Sequence, residues 1–356
     1  MLHDDLSLTI RPLDAGSDTE LAQYAALDEA LDDHAFGGHE VRTLAQHRAQ
    51  LVDSSYSRTR RWVALAETME GGQTLVGRAS VSLPLEENLE TVFVGVSVHP
   101  AFRGLGIATR MVEEILLPAI EETGRPLRSA WGDVPAGGDA DDPDLPVHRL
   151  ARRLGISRKG MAVVRAVELP VAQGLLDSLQ EKVDEKLGDY RIELWEHDVP
   201  AQHLEAYGLL LRQLDLDDPD EDVEHEAADY TPARIREMEQ RERDAGTRTL
   251  TAVAIAPDGA FAGNSVVQWQ EAEGTTIGWQ ENTLVMPDHR GHRLGLALKV
   301  ATHRRITALA PHLRSLITYN SHVNPWMIAV NEQLGYRVIG RELALQGRAD
   351  AGGAAR

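Results

Sequence analysis

The hydrophobic and polar positions of the chain follow one order of strand and helix periods, and this order occurs twice. In the first half, alternation with a period of two predicts strands, and apolar residues at helical spacing predict amphipathic helices between them. The predicted order is one strand, two helices, three strands, then helix, strand, helix and strand, over residues 6–13, 18–52, 61–67, 74–83, 90–98, 104–122, 126–132, 146–154 and 161–169.

The second half repeats this order of predicted elements. Its segments cover residues 190–199, 201–213, 231–245, 249–256, 260–270 and 275–286, a helix that ends near residue 309, residues 314–320, a helix from Asn324, and residues 336–345. Alternating strands and helices of this kind indicate an α/β protein with a mixed sheet. Two copies of one unit are therefore predicted.

A sequence repeat supports the two copies. Residues 96–108 and 283–295 both contain an apolar run, a proline, and an Arg-Gly pair three residues later. The offset is constant, because 287 minus 100, 290 minus 103 and 295 minus 108 all give 187. A second shared pair, Leu-Gly, gives 334 minus 154, or 180, and the turn-rich residues 135–144 account for the difference. Fixed offsets of this kind are the signature of repeated structural units.

The repeat predicts where the domains lie. We expect a first domain over residues 1–170, a connecting segment over 171–188 that could be a helix, and a second domain over 189–346. Residues 347–356 have the small and polar composition of a disordered tail.

Composition narrows the function classes. The 356 residues include no cysteine, which excludes disulfides, thiolate metal sites and cysteine nucleophiles. No window is apolar enough for a membrane span, and the first residues lack the pattern of a signal peptide, so we expect a cytoplasmic protein that does not bind membranes. A net charge of -20 disfavours a nucleic-acid partner. It is compatible with a cationic substrate, although solubility alone would explain it equally well.

The strand order and the Arg-Gly-x-Gly loop between the fourth strand and the third helix resemble the GNAT superfamily of N-acetyltransferases. That family writes its phosphate-binding loop as [RQ]-x-x-G-x-[GA]. Arg103, Gly106 and Ala108 match it, as do Arg290 and Gly295, whereas Arg293 stands where the family has its middle glycine. The resemblance covers almost the whole chain and implies two tandem GNAT-like domains, each with a mostly antiparallel sheet flanked by helices.

Physical chemistry explains why such a loop would hold phosphate. Where a strand turns into a helix, the first backbone N–H groups have no intrahelical acceptor and share the positive end of the helix dipole. The resemblance implies that this loop and the preceding strand bind acetyl-CoA as the acetyl donor, without a metal. The implied binding residues are Thr283, Leu284, Val285, Arg290, Gly291, His292, Arg293, Leu294, Gly295, Asn320 and Asn324 in the second copy, and Val98, Arg103, Gly104, Leu105, Gly106, Ile107 and Ala108 in the first.

Amine attack on a thioester needs an unprotonated nucleophile, and therefore a base. Glu281 lies in the strand before the second loop, and the two-residue period places it on the same face as Thr283 and Val285. It is the candidate base, with a solvated or ion-paired strand glutamate as the alternative. Gln280 and Asn282 are expected on the opposite face.

The resemblance also implies an asparagine that opens the helix after the fifth strand and a tyrosine, seven residues later, that protonates the leaving thiolate. Asn324 fits the first role, although it also fits a plain helix cap before Pro325. Asn331 occupies the tyrosine position. Asn331 or Tyr336 could then contact the sulfur or a water.

These residues predict an acetyl-CoA-dependent N-acetyltransferase that acts by direct attack of a small, cationic primary amine in a ternary complex. The alternative is a non-catalytic acetyl-CoA-binding or sensor protein. We expect the second copy to be catalytic and the first to be a degenerate scaffold, because the positions equivalent to Glu281 and Asn331 are assigned to Val94 and Ala151. The acidic residues 215–226 could form a lip that attracts amines, or a solvated run of charge.

Overall fold

The computed structural model describes residues 7–67, 71–217 and 222–349. The strands are β1 Leu8–Pro12, β2 Ser57–Glu67, β3 Gln73–Pro84, β4 Thr91–Val98, β5 Leu127–Pro135, β6 Ser157–Glu168, β7 Arg191–Glu196, β8 Thr247–Ile255, β9 Phe261–Gln270, β10 Ile277–Val285, β11 Ser315–Ser321 and β12 Arg337–Arg348. The helices are α1 Asp18–Phe36, α2 Leu44–Gln50, α3 Ile107–Met111, α4 Leu117–Thr123, α5 Pro146–Leu154, α6 Gln173–Leu187, α7 Leu204–Asp217, α8 Pro232–Asp244, α9 Leu294–Leu309 and α10 Pro325–Gln333. A π-helical turn, Val112–Leu116, joins α3 to α4.

The predicted order of elements is present in both halves, and the predicted mixed α/β architecture is confirmed. β1 to β6 form the first copy and β7 to β12 the second. The connecting segment contains a continuous helix, α6, which packs against α9. The predicted tail starts at residue 347, whereas β12 continues to Arg348, and residues 350–356 lie outside the described residues.

The strands of both copies form one sheet, in the order β1-β2-β3-β4-β5-β12-β6-β11-β10-β9-β8-β7. The last strand of each copy, β6 or β12, is exchanged between the two copies. β12 of the second copy pairs with β5 of the first, and β6 of the first copy pairs with β11 of the second. β6 and β12 pair with each other at the centre. Each copy therefore completes its sheet with a strand of the other copy, and the domain boundary near residue 170 stays a prediction.

The strand exchange extends into the cores. Leu343 and Leu345 of β12 are buried in the first copy's core, against a group that includes Val94, Val112 and Val134. In the second copy, α6 and α9 pack on the same side of the sheet around Val183, Leu296 and Val300, while α7 and α8 cover the other side around Trp195 and Tyr207. The apolar face of each last strand is thus buried by residues that are distant in sequence.

Loops also cross between the copies on the face covered by α7 and α8. The end of α1 and the segment after it reach the start of β10 in the second copy. There the His39 N–H donates to Thr276 Oγ1 (3.1 Å), and Phe36 lies edge-on to Trp279 (5.2 Å). In return, the segment before α8 reaches the first copy, where Glu226 accepts from the Asn88 N–H (2.7 Å). The open face of each half is therefore partly built by the other half.

A substitution in β12 should destabilise the whole chain. Leu343→Ala removes a fully buried side chain that the second half contributes to the first half's core. We expect a loss of about 2–5 kcal/mol in the free energy of unfolding, with the two halves still unfolding together. Denaturant unfolding followed by circular dichroism and tryptophan fluorescence measures both. Val338→Ala, at an exposed position of the same strand, is the control and should change little. Separate transitions for the two halves would contradict this coupling.

Candidate functional site

Each copy contains one pair of parallel strands that separate after a short contact. β4 pairs with β5 only from Thr91 to Phe93, and β10 pairs with β11 only from Ile277 to Trp279. Beyond these residues the strand pairing stops, although both strands continue. The backbone groups that point into the gap can therefore pair with an extended ligand, as an edge strand does.

The loop after each diverging strand has the same shape in both copies. A proline opens a short 3₁₀ turn, and two residues with positive φ follow, Gly104 (82°) and Gly106 (78°) in the first copy. Gly291 (91°) and Arg293 (55°) take these positions in the second copy. Arg293 thus adopts the left-handed conformation that a glycine adopts more readily, and the helix still starts at the equivalent place.

The arginine before each loop glycine folds back onto the end of its strand. Arg103 Nε donates to the Val98 carbonyl (3.2 Å), and Arg290 Nε donates to the Val285 carbonyl (3.3 Å). Both guanidinium groups therefore stay beside the start of the following helix. This geometry fits the predicted pyrophosphate site, because backbone N–H groups and a cation converge on one place.

The two loops differ in their surroundings. In the second copy, Arg290 forms an ion pair with Asp217 at the end of α7 (2.6 Å), and Arg293 forms one with Glu185 of α6 (2.7 Å). His292 Nδ1 donates to the Lys186 carbonyl (3.2 Å). Within the described part of the chain, Arg103 makes no ion pair. Phosphate binding at the second loop would therefore compete with two existing ion pairs.

A β-bulge interrupts β10 just beyond the point where it leaves β11. Gln280 lies opposite Val267 and Thr283 lies opposite Ser265, so Glu281 and Asn282 together oppose one residue of β9. A bulge of this kind reverses the alternation of side chains along the strand.

The prediction that Glu281 shares a face with Thr283 and Val285 is therefore wrong. Glu281 lines a cavity on the side of α7 and α8. Thr283 is hydrogen-bonded to the Ser265 hydroxyl (2.9 Å), and Val285 packs on the opposite side, against the core around Leu294. The two-residue period could not reveal this, because the bulge adds one residue to the strand.

Asn282 is also placed differently from the prediction. Its Oδ1 accepts from Asn264 Nδ2 (3.2 Å), and Asn264 in turn lies beside Tyr207 of α7, on the side of Glu281. Gln280 is buried on the other side, where it donates to Ser265 Oγ (3.0 Å). Only Gln280 lies opposite Glu281 as expected.

The first copy has no bulge in β4. Gly77 opposes Val98 as Gly263 opposes Val285, and counting back from these pairs, Val94 corresponds to Gln280. Gly95 then takes the place of the two bulge residues. The assignment of Val94 as the equivalent of Glu281 is corrected, although the first copy's strand still contributes no carboxylate there.

The cavity beside Glu281 has a volume of about 380 Å³ and is built by both halves. α1 contributes Asp28 and Asp32, and the following segment contributes Glu40. Asp28 is paired with Arg78 and Glu40 with Arg42. Protein surrounds the Glu281 carboxyl on most sides, although part of the residue is exposed. This burial raises the pKa of Glu281, and the negative charges of Glu242 and Glu40 raise it further.

Burial also raises the pKa of Asp32, to about 7, with the neighbouring Glu40 and Asp28 adding to the shift. An ammonium group in this cavity would relieve the repulsion among these carboxylates and favour their charged forms.

The predicted residues of the fifth strand and the last helix meet in a buried polar network. Asn320 Oδ1 accepts from Asn331 Nδ2 (3.2 Å) and from Arg165 of the exchanged strand β6 (2.8 Å). Lys299 Nζ donates to Asn331 Oδ1 (2.6 Å). Asn324 caps α10 by accepting from the Met327 N–H (3.1 Å), which is the structural role considered for it.

Tyr336 is buried in the core, and its hydroxyl is hydrogen-bonded to His303 Nε2 (3.2 Å). Burial raises the pKa of Tyr336. The structure therefore places this hydroxyl in contact with a core histidine. The roles proposed for Asn331 and Tyr336 with a leaving sulfur stay predictions.

Sequence reasoning missed Lys299. It is fully buried in α9, and burial lowers its pKa to about 7. The available signal was a lysine among the apolar residues of the first two turns of helix Leu294–Leu309. The offsets of 187 and 180 give Val112 and Ala151 as the first-copy counterparts of Lys299 and Asn331, and both are core residues. The polar network is thus specific to the second copy.

Comparisons with known proteins agree with this geometry. Residues 25–128 match the family described as "Acetyltransferase (GNAT) family". No curated protein matches the chain. A tandem GNAT protein from the clavulanic acid biosynthesis pathway has a similar structure, with a TM-score of 0.73, 22% identity and coverage of 96% of this chain and 98% of that one.

Two further solved structures share the fold. A GCN5-related N-acetyltransferase from Sphaerobacter thermophilus superimposes with a TM-score of 0.60 at 17% identity, covering 98% of this chain and 97% of that one. N-myristoyltransferase from Saccharomyces cerevisiae does so with a TM-score of 0.53 at 10% identity, covering 97% and 86%. The chain thus has the GNAT fold. Its architecture is that of the tandem GNAT proteins, and the resemblance predicted from the sequence is confirmed.

Among the described residues, none of the helices combines the length and the apolar composition that a membrane span requires. No group of three or more His, Asp or Glu side chains in the same residues is arranged to hold a metal ion.

The buried lysine predicts a pH dependence of stability. In the unfolded chain Lys299 has the ordinary lysine pKa of 10.5, whereas in the fold it is about 7. Between these values the unfolded state binds more protons, so the free energy of unfolding should rise with pH, by up to about 1.4 kcal/mol per unit. Lys299→Met should remove this rise.

Urea unfolding of both proteins at pH 7 and pH 9.5 measures the difference between their pH slopes. The difference is the informative quantity, because other titrating groups contribute equally to both proteins and because the loss of the hydrogen bond to Asn331 changes stability at both pH values. Equal slopes would show that Lys299 is protonated in the fold.

Proposed function

We propose that this protein is an acetyl-CoA-dependent N-acetyltransferase whose acceptor is the primary amine of a small cation, with the reaction carried out in the second half. One observation carries the proposal. Glu281 lies on the β10 bulge, at the point where β10 and β11 separate, and its carboxyl lines an acidic cavity built by both halves. A base, a place for a donor and an attractive field for an ammonium group thus coincide.

The donor would lie between the diverging strands, with its pyrophosphate at the loop Arg290–Gly295. Acetyl-CoA supplies the thioester carbonyl that the amine attacks. The chain would hold that group: the free backbone edge of β10 near Val285 would pair with the extended arm, and the N–H groups at the start of α9 would meet the phosphates. Arg290 would exchange its bond to Asp217 for a phosphate oxygen.

The acceptor would enter from the acidic cavity. Asp32 and Glu281 face this cavity, and burial raises the pKa of both carboxyls, to about 7 for Asp32. A raised pKa makes a carboxylate a better proton acceptor. The carboxylate of Glu281 would accept the proton that the attacking ammonium must lose. The leaving thiolate would take a proton from water, because Asn331 cannot supply one.

A second candidate function is binding of acetyl-CoA without turnover, as in a sensor. The observation that favours it is the pairing of Arg290 and Arg293 with Asp217 and Glu185, which occupies the loop that should meet the phosphates. A screen of primary amines that follows CoA release distinguishes the two. Release with a polyamine such as spermidine supports the enzyme, whereas binding of acetyl-CoA with no release across the library supports the sensor.

Acetyl-CoA binding should depend on the loop arginines. Reversing the charge in Arg290→Glu or Arg103→Glu should weaken binding at that copy by about 1.5–3 kcal/mol, because a charge-assisted hydrogen bond is lost. Calorimetry measures this loss. Arg191→Glu is the control, since Arg191 is an exposed arginine in an ion pair with Glu193 on β7. The absence of binding heat at millimolar acetyl-CoA would refute the donor site.

The same variants test which half is catalytic. For an amine whose transfer depends on Glu281, Arg290→Glu should lower kcat/KM for acetyl-CoA about 10- to 150-fold, in line with the weakened binding, and Arg103→Glu should spare it. The reverse result, with both variants folded by circular dichroism, would place the reaction in the first half.

Glu281→Gln should reduce turnover by about 10²- to 10⁴-fold, because the amide cannot accept the amine's proton. Affinity for acetyl-CoA should hardly change, since the side chain faces the acceptor cavity. Steady-state kinetics and calorimetry measure the two effects. Glu271→Gln, an exposed glutamate paired with Arg248, is the control. Unchanged turnover across pH would remove Glu281 from the mechanism.

A further inference from the structure

A second cavity lies at the centre of the sheet, where the two copies meet. Its volume is about 500 Å³. Phe93 and Ser129 line it, and these are the last paired residues before β4 and β5 separate. Residues 223–226 of the second half cover its other side, and β12 and β6 contribute to its floor. The cavity therefore lies beside the point where the first copy's strands separate, and the Glu281 cavity lies beside the corresponding point of β10.

We propose that this central cavity is a second amine-acceptor site, serving acyl transfer in the first half, and that Glu342 of the exchanged strand β12 is its general base. The inference rests on the proposed acyl-transfer chemistry but concerns a different site and different residues. The first half receives this carboxylate from the other copy.

Glu342 differs from the other carboxylates that line the cavity. Glu87 is paired with Arg234, and Glu224 with Arg348. Asp215 accepts from the Ala228 N–H, and Glu226 accepts from the Asn88 N–H. Within the described residues, the Glu342 side chain makes no hydrogen bond or ion pair. Its carboxylate is therefore available to a ligand.

The neighbours of Glu342 shift its pKa to a value that suits proton transfer. On β5, Asp133 is its direct partner across the strands, and like charges so placed repel each other. Burial together with Asp133 raises the pKa of Glu342 to about 7. Tyr319, on β11, also lies in the field of Glu342. A carboxyl of this kind is half ionised at neutral pH, which suits a base that must receive a proton and release it again.

The apolar part of the cavity indicates the kind of amine. Trp131 of β5 stacks on Phe93, with ring centroids 5.3 Å apart and planes at 9°. Trp131 is still 56% exposed, so part of its ring surface is open to a ligand. An aromatic or flat apolar group would bury this surface while its ammonium group approached Glu342. The ligand class is therefore a primary amine carried on an aromatic group, unlike the polyamine suggested for the Glu281 cavity.

The transfer step balances without any other reactant. The amine nitrogen forms a bond to the carbonyl carbon of acetyl-CoA, and the carbon–sulfur bond breaks. Before the attack, the bound ammonium gives one proton to the Glu342 carboxylate. After the attack, the second amine proton passes through water to the leaving thiolate sulfur. The products are the acetylated amine and CoA.

The first experiment measures binding and needs no turnover. Calorimetry with phenethylamine should show binding that weakens about tenfold from pH 8 to pH 6, because protonation of Glu342 removes the charge that attracts the ammonium group. Glu342→Gln should abolish this pH dependence, and Trp131→Ala should weaken binding about tenfold at both pH values. Glu121→Gln, at an exposed position of α4, is the control. No binding at millimolar phenethylamine, or an unchanged pH dependence in Glu342→Gln, would overturn the proposal.

The second experiment measures transfer from acetyl-CoA. With phenethylamine as acceptor, turnover should fall at least 100-fold in Glu342→Gln and stay unchanged in Glu281→Gln. With spermidine as acceptor, turnover should fall in Glu281→Gln and stay unchanged in Glu342→Gln. Loss of phenethylamine transfer in Glu281→Gln alone would assign both amines to the second half and refute this site. If spermidine is acetylated and phenethylamine does not bind, the proposed function stands and the second site falls. If phenethylamine binds as described and no amine is acetylated, the acceptor site stands and the enzymatic function falls.

Discussion

The pairing of β6 with β12 at the centre of the sheet is the interaction on which the rest of the structure depends. Each strand ends its own copy, yet each pairs on its other side with the fifth strand of the opposite copy. Neither half can then bury its core alone, since Leu343 and Leu345 complete the first core from the second half. One continuous sheet results, and both cavities are lined by residues from both halves.

The exchange also explains why two copies of one unit can differ so much inside. In the second copy, the space between the diverging strands and the last helix holds Lys299, Asn331 and Asn320, joined by hydrogen bonds and completed by Arg165 from β6. Leu345, which is the counterpart of Arg165 by the offset of 180, completes an apolar core in the first copy. Buried polar groups are tolerated only as a connected set, so these positions would have had to change together.

The two proposed acceptor cavities also differ in the residues that surround them. Around Glu281, carboxylates outnumber the two arginines, and the surroundings favour a cation with more than one charge. In the central cavity, most carboxylates already have partners, and an exposed tryptophan adds apolar surface near Glu342, which has no hydrogen-bond or ion-pair partner among the described residues. Similar backbones thus provide different chemical surroundings, because the segments that cover them come from different parts of the chain.

Much of this protein was determined by local sequence. Periodicity indicated most elements, the constant offset of 187 indicated the repeat, and the Pro–Arg–Gly spacing indicated two loops whose backbones have the same shape, because turns and helix starts depend on neighbouring residues. Tertiary structure decided the rest. The bulge that turns Glu281 toward α7 and the exchange that brings Glu342 to the first half both depend on which strands pair. Strand pairing joins residues far apart in sequence, and a period read along one strand contains no information about its partner.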